Sequence, residues 1–224
     1  MERVELPGGK WGALAGIAFA VLLFMTVAVI DAPRSATDEA VSTWWADSAN
    51  QTSAIVSMYC ALGASLAFLV FLTQLCTRLR AAEGGHAPVT SLVHACGLVF
   101  TVLLLIAGLA RGAVSAGVRF GDEPLPGVDV LRLVPEISFV ALGPFGLITM
   151  AVAIAGVSAL ILRTGVHGRW LAWLGFAVAT SLLGSVVIGA FLLPVLLLWT
   201  LAISVAMFRS GSRALVQATA AVAS

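Results

Sequence analysis

Residues 170–208, WLAWLGFAVATSLLGSVVIGAFLLPVLLLWTLAISVAMF, form a stretch of 39 residues without a charged side chain. A bilayer hydrocarbon core of about 30 Å is crossed by roughly 20 apolar residues, because an α-helix rises about 1.5 Å per residue. The stretch is therefore too long for one crossing and long enough for two. Gly184, Ser185 and Gly189 favour a turn within 184–190, since both residue types weaken a helix interior.

Four more uncharged runs lie upstream, each bordered by charged residues. Together they predict an all-α, polytopic transmembrane bundle of six spans, in one domain that covers residues 1–224. Five spans are the alternative, if the last run forms one crossing and a re-entrant or surface segment. The six predicted spans are approximately 11–30, 53–76, 91–110, 137–162, 170–187 and 190–208.

The composition supports lipid as the solvent of this chain. Only 10% of the residues are Asp, Glu, Lys or Arg, 60% are apolar, and the mean hydropathy is +1.06. A water-soluble domain of this size would expose large apolar patches. The net charge of +1 and the single Lys10 argue against a nucleic-acid partner. The scattered histidines and cysteines show no metal-ligand spacing, so no metal or cofactor is predicted.

The distribution of Lys and Arg predicts the orientation of the bundle. With the N-terminus inside, eight of the 12 Lys and Arg residues fall in cytoplasmic segments. The other four are Arg34, Arg111, Arg119 and Arg132. Most acidic residues fall outside. The positive-inside rule therefore predicts a multi-pass protein of the plasma membrane with both termini in the cytoplasm.

The first outer loop, residues 31–52, predicts a short helix on the outer membrane surface. Thr37 is the candidate N-cap, two acidic residues follow it, and Val41, Trp44 and Trp45 form an apolar side. Trp44 and Trp45 are the candidate interfacial anchors, because indole rings favour the headgroup level.

The second outer loop, residues 112–135, contains glycines and prolines at Gly121, Pro124, Pro126 and Gly127. These residues argue against a long helix in the loop, and only a short turn at 129–134 is expected.

A polar cluster is predicted beneath these loops. Asp31, Arg111 and Glu136 stand at the outer ends of consecutive spans, so their side chains are expected at the same depth. One interpretation is a mouth or binding recess that faces outward. The other is ordinary interfacial anchoring, in which Arg111 extends to the lipid headgroups.

Glycine and proline predict the local shape of the spans. Gly12 and Gly16 form a Gly-x-x-x-Gly pattern that allows close backbone approach. Pro144 in the fourth span and Pro194 in the sixth are expected to kink their helices, because proline lacks a backbone donor and clashes with the preceding turn.

Short motifs along the chain carry a resemblance to a known group of proteins. The matching segments are Thr37-Asp38-Glu39-Ala40, Trp44-Trp45-Ala46-Asp47 with Asn50, Arg78-Leu79-Arg80, Glu83-Gly84-Gly85, Gly143-Pro144, Arg169-Trp170-Leu171-Ala172-Trp173-Leu174-Gly175, Leu193-Pro194 and Leu198-Trp199. In their order the chain resembles uncharacterised six-span integral membrane proteins of actinobacteria. The resemblance covers most of the chain and implies a topology and a plasma-membrane location, without an activity.

No ionisable residue lies near the predicted midplane of any span, where a coupled carrier usually places one. The leading hypothesis is therefore a non-enzymatic accessory or regulatory protein whose partners are membrane lipid and another membrane protein. A small-solute channel or uncoupled transporter is the alternative, suggested by the two prolines. An intramembrane enzyme ranks third, because no nucleophile–base pair or paired carboxylate is evident.

Overall fold

The computed structural model describes residues 9–29, 37–84, 87–165, 168–184 and 192–222. Within these ranges the chain is helical and contains no β-strand, which confirms the all-α prediction. The helices are α1 (Gly9–Ala28), α2 (Asp38–Ala46), α3 (Ser48–Glu83), α4 (Pro88–Gly121), α5 (Val128–Val140), α6 (Leu147–Thr164), α7 (Arg169–Leu183) and α8 (Leu193–Val222), with a π-helical segment (Ala141–Gly146) between α5 and α6.

Four helical stretches are long and apolar enough to cross a membrane: Trp11–Ala28, Ser48–Glu83, Pro88–Gly121 and Val128–Thr164. Two shorter apolar helices follow, Arg169–Leu183 and Leu193–Phe208. Helix α7 ends at Leu183 and α8 begins at Leu193, so the final uncharged run is divided between two helices, and the turn predicted within 184–190 lies almost entirely outside the described residues. The residues between, 185–191, lie outside the described part of the chain.

The helices pack as a ring in which sequence neighbours are mostly spatial neighbours. Helix α3 packs between α1 and α4, and α6 packs between α4 and α7. Helix α8 contacts both α1 and α7 and so closes the ring. We call the end of the bundle that carries α2 the α2 end.

Aromatic side chains fill the space between α1, α3 and α4. The Phe19 and Phe68 rings lie 4.8 Å apart, and Phe100 completes the cluster at 5.2 Å from Phe68 and 6.2 Å from Phe19. All three side chains are buried. Tilted and edge-to-face rings at these distances attract each other beyond simple burial.

Glycine allows the closest helix contacts, as the Gly-x-x-x-Gly pattern predicts. A Cβ at Gly12 would lie 2.8 Å from Cβ of Gln74 on α3, and a Cβ at Gly16 would collide with the Ser204 hydroxyl on α8. A Cβ at Gly112 of α4 would likewise come too close to the Met58 side chain of α3. The hydrophobic effect does not drive helices together in lipid, so their association depends on the van der Waals contact that such close approach allows.

The two prolines that predict kinks behave differently. Pro144 lies inside the π-helical segment, where the wider turn accommodates a residue that cannot donate a backbone hydrogen bond. Pro194 is the second residue of α8, so the predicted kink in the last span is wrong. In a first helical turn the missing N–H of proline costs nothing, because that group has no intrahelical partner.

The helices extend further at the α2 end than predicted. Helix α4 continues to Gly121, and α5 begins at Val128, so the expected loop 112–135 is reduced to residues 122–127. Asp122 ends α4 in the left-handed conformation with φ of 52°, which aspartate tolerates better than most residues. The helical part of this loop is stable because it packs against α3 and α5, contacts that local turn signals do not reveal.

Candidate functional site at the α2 end

The C-terminus of α1 is held by side chains from two other helices. The Thr26 carbonyl oxygen accepts a hydrogen bond from Ser57 Oγ of α3 at 2.7 Å and from Arg111 Nη1 of α4 at 2.8 Å. The last four carbonyls of a helix lack intrahelical donors and carry the negative end of the helix dipole. A guanidinium at this point donates a hydrogen bond to the free carbonyl and places a positive charge beside the negative end of the dipole.

Arg111 also contacts α5, at a residue other than the predicted one. Its Nε donates to Ser138 Oγ at 2.7 Å, whereas the Glu136 side chain is exposed. Residues two apart on a helix point about 200° away from each other. With Ser138 facing Arg111, Glu136 therefore faces away, and the predicted pairing of Arg111 with Glu136 is not found. The third residue of the predicted cluster, Asp31, lies outside the described residues.

The hydrogen bonds of Arg111 connect α1, α4 and α5, and the Ser57 bond adds α3 to the same point. Ser57 and Ser138 are buried, and Arg111 is half-buried. Sequence reasoning missed both serines because a single uncharged hydroxyl within an apolar run gives no local signal of its partner. The available signal was the spacing of Leu131 and Ser138, which are seven residues apart and so share one helix face.

A sharp corner joins α2 to α3 through one residue, Asp47. Its backbone N–H donates to the Thr43 carbonyl at 3.2 Å and so ends α2, while its carboxylate accepts from the Ala49 N–H at 2.9 Å and so begins α3. The amides of Asn50 and Gln51 then donate to the Trp44 and Trp45 carbonyls. These bonds satisfy the C-terminal carbonyls of α2. Helix α3 consequently starts five residues before the predicted span.

The start of α2 is as predicted. Thr37 is the N-cap, and its hydroxyl oxygen accepts a hydrogen bond from the Ala40 N–H at 3.4 Å. The acidic residues Asp38 and Glu39 occupy the first turn, where their negative charges interact favourably with the positive end of the helix dipole.

The apolar side of α2 packs against protein. Trp45 is only 2% exposed and Val41 is fully buried, and both belong to one buried cluster with Leu131 of α5. We call this cluster the α2 cap; its remaining members are Trp44, Ala54, Val114, Val128 and Val134. Burial leaves Trp45 without a surface for lipid, so its predicted anchor role is not supported. Trp44 is half-buried against the Trp45 ring at 5.0 Å, and its anchor role stays a prediction.

Charged side chains surround the α2 cap. Arg132 of α5 forms an ion pair with Asp38 of α2 at 2.7 Å. An open groove of about 530 Å³ runs beside α2, between Glu39 and Asp47, with Trp44 in its wall. The surface is therefore acidic and aromatic, and it belongs to an ordered structure rather than to a loop.

The opposite end of the bundle has its own helix cap. The Glu83 carboxylate at the end of α3 accepts hydrogen bonds from the Val89 and Thr90 N–H groups and, at 2.7 Å, from the Thr90 hydroxyl. Glu83 lies beyond the uncharged run that ends at Cys76. The hydrogen bond from the Thr90 hydroxyl is the main reason why the pKa of Glu83 lies below its usual value.

Three buried polar atoms have no hydrogen-bond partner among the described residues: His94 Nδ1, Ser115 Oγ and Trp199 Nε1. They belong to different parts of the bundle and do not form one site. The described residues also contain no group of three His, Cys, Asp or Glu side chains that could hold a metal ion. Among the residues that the structure describes, the largest set of connected polar side chains is the one at the α2 end.

Comparison of the chain with protein-family models, with curated proteins and with solved structures finds no match.

Proposed function

We propose that the chain is an integral protein of the plasma membrane that acts, without an enzymatic activity of its own, as an accessory or regulatory partner of another membrane protein. One contrast within the bundle carries this proposal. Between α1, α3 and α4 the interior is filled by Phe19, Phe68 and Phe100. Hydrogen-bonded polar side chains are instead found at the α2 end. A conducting protein needs a hydrated path at the level that these rings occupy.

In this proposal the bundle has six spans, both termini are cytoplasmic, and the α2 cap faces the outside. The bias of Lys and Arg along the sequence supports that orientation. Among the described residues, the α2 end carries seven carboxylates and three guanidinium groups, a net charge of −4. The carboxylates are those of Asp38, Glu39, Asp47, Asp122, Glu123, Asp129 and Glu136. An acidic outer surface suits recognition of a partner with basic residues.

The proposal is tested by affinity purification of the tagged chain in mild detergent, followed by mass spectrometry. Two variants share the same chemical change: Trp45→Ala removes a buried ring of the α2 cap, and Trp173→Ala removes a ring that is 67% exposed on α7. We expect the wild-type chain and Trp173→Ala to retain the same membrane protein, and Trp45→Ala to lose it.

Size-exclusion chromatography in detergent shows whether Trp45→Ala remains folded. If it does not, the charge reversal Glu39→Lys on the exposed side of α2 takes its place. Recovery of the wild-type chain without a stoichiometric partner would contradict the proposal, and so would equal recovery of the partner by both variants.

A small-solute channel or uncoupled transporter is the second candidate, and the π-helical segment at 141–146 favours it. Pro144 supplies no backbone donor, and irregular backbone within a span is often used to line a cavity. Uptake of small solutes by proteoliposomes that contain the purified chain, compared with Pro144→Ala, tests this function. Liposomes that stay as impermeable as protein-free controls would exclude it.

A further inference from the structure

One face of α5 is apolar along its whole length and is not covered by the described parts of the other helices. Val130, Leu133, Ile137 and Val140 are 45%, 56%, 42% and 41% exposed. Their spacing of three, four and three residues places them in one stripe. The same spacing forms the contact seam between paired helices. We call these four residues the α5 seam.

With the proposed fourth span beginning at residue 137, the upper half of the α5 seam lies above the hydrocarbon core of the membrane. The uncharged part of the helix begins at Ile137, directly after Glu136. Val130 lies seven residues earlier, which is about 10 Å along the helix axis. The headgroup region of one leaflet is only about 5–7 Å thick. Lipid therefore covers Ile137 and Val140, but Val130 needs a different neighbour.

Acidic residues flank the α5 seam on one side. Asp129 and Glu136 are seven residues apart and so lie one above the other, next to Leu133. Among the described residues neither forms an ion pair. The basic residue nearby, Arg132, directs its guanidinium to Asp38 of α2 at 2.7 Å. The flank consequently presents two negative charges to whatever covers the seam.

We infer that the α5 seam binds a membrane-spanning helix of another protein, one that continues past the outer lipid boundary and carries Lys or Arg opposite Asp129 and Glu136. The inference rests on the proposed accessory function and names the surface through which it operates. A second copy of this chain fits less well, because two copies would bring acidic flanks together at the same seam.

Photo-crosslinking in native membranes tests the inference. The probe is p-benzoylphenylalanine introduced at Leu133 of the full chain. The matched control is the same probe at Val102 of α4, which is similarly exposed, at 55%, in the middle of a span. We expect a protein adduct at Leu133 and only lipid adducts at Val102. Peptide mapping is expected to place the Leu133 adduct at the outer end of a spanning helix with Lys or Arg within one turn.

Charge reversal supplies the second arm. With Asp129→Lys and Glu136→Lys, like charges would face each other, and the Leu133 adduct is expected to fall roughly tenfold or more. The inference is overturned by adducts to lipid alone, by adducts to a second copy of the chain, or by a protein adduct that charge reversal does not change. If a partner co-purifies while the probe at Leu133 labels only lipid, the α5 seam is not the contact surface, and the accessory function stands. If the chain purifies alone, the accessory function fails first.

Discussion

Replacing Arg111 by alanine is expected to loosen the α2 end of the bundle, because its guanidinium reaches two other helices. The change removes the bond from Nη1 to the Thr26 carbonyl, at 2.8 Å, and the bond from Nε to Ser138 Oγ, at 2.7 Å. The two acceptors are affected differently. Thr26 keeps its hydrogen bond from Ser57, whereas the buried Ser138 hydroxyl loses the donor.

The expected cost follows from these two bonds. A hydrogen bond to a charged group contributes about 1.5–3 kcal/mol, and because Arg111 is half-buried the lower figure applies. Arg111→Ala should therefore lower the free energy of unfolding by about 3 kcal/mol. Ser138→Ala should cost about 1.5 kcal/mol, and the double variant should cost about 1.5 kcal/mol less than the sum, because both changes remove the same bond.

Unfolding in mixed micelles, followed by tryptophan fluorescence, measures these values. Arg119→Ala is the matched control, since Arg119 is exposed and makes one long bond of 3.4 Å to Thr52; it should change stability by less than about 0.5 kcal/mol. Glu136→Gln should also be neutral. The reasoning fails if Arg111→Ala is no more destabilised than Arg119→Ala, or if Glu136→Gln reproduces the loss.

Four further variants test the packing and the second helix cap. Gly175→Ala places a Cβ against the Ser158 hydroxyl and should cost about 1–3 kcal/mol, whereas Gly143→Ala meets no atom within 4 Å and should be nearly neutral in the same unfolding assay. Phe100→Ala removes a fully buried ring and should cost about 3–5 kcal/mol; a melting temperature equal to that of the wild type would contradict the aromatic packing. The lowered pKa of Glu83 means that its cap is fully formed above its ordinary value of 4.5 and is lost as pH falls through the lower folded value. Acid titration of thermal stability should show this loss in the wild type, and Glu83→Gln should remove that component; identical pH profiles would rule it out.

Hydropathy located the apolar middle of the long helices but not their ends. The predicted spans 53–76 and 91–110 each lie inside one helix, which continues past both limits, by as many as 11 residues at the C-terminus of α4. The ends are determined by caps such as Asp47 and Glu83, which satisfy backbone groups through specific side-chain positions. Charge borders mark where lipid contact stops, and a helix supported by neighbouring helices continues beyond them.

The candidate site was predicted in part. Arg111 was recognised from its position at the end of an apolar run, but its partners depend on the rotation of α5. That rotation follows from the burial of Leu131, which turns Ser138 toward Arg111 and Glu136 away. The prediction paired Arg111 with the nearest opposite charge, Glu136, and did not consider which face of α5 each residue occupies. Similarly, Thr37 identified the start of α2, but no local pattern could reveal that Trp45 docks on a helix that begins at Val128.

The ion pair between Asp38 and Arg132 joins residues 94 positions apart in the chain. At a synthesis rate of roughly 5–20 residues per second, α2 is translated about 5–20 s before the helix on which it docks. During that interval Val41 and Trp45 lack the Leu131 surface that finally covers them. A nascent chain that stalls before α5 would consequently lack the α5 side of the α2 cap, and such transiently exposed apolar surface makes unfinished chains prone to aggregation.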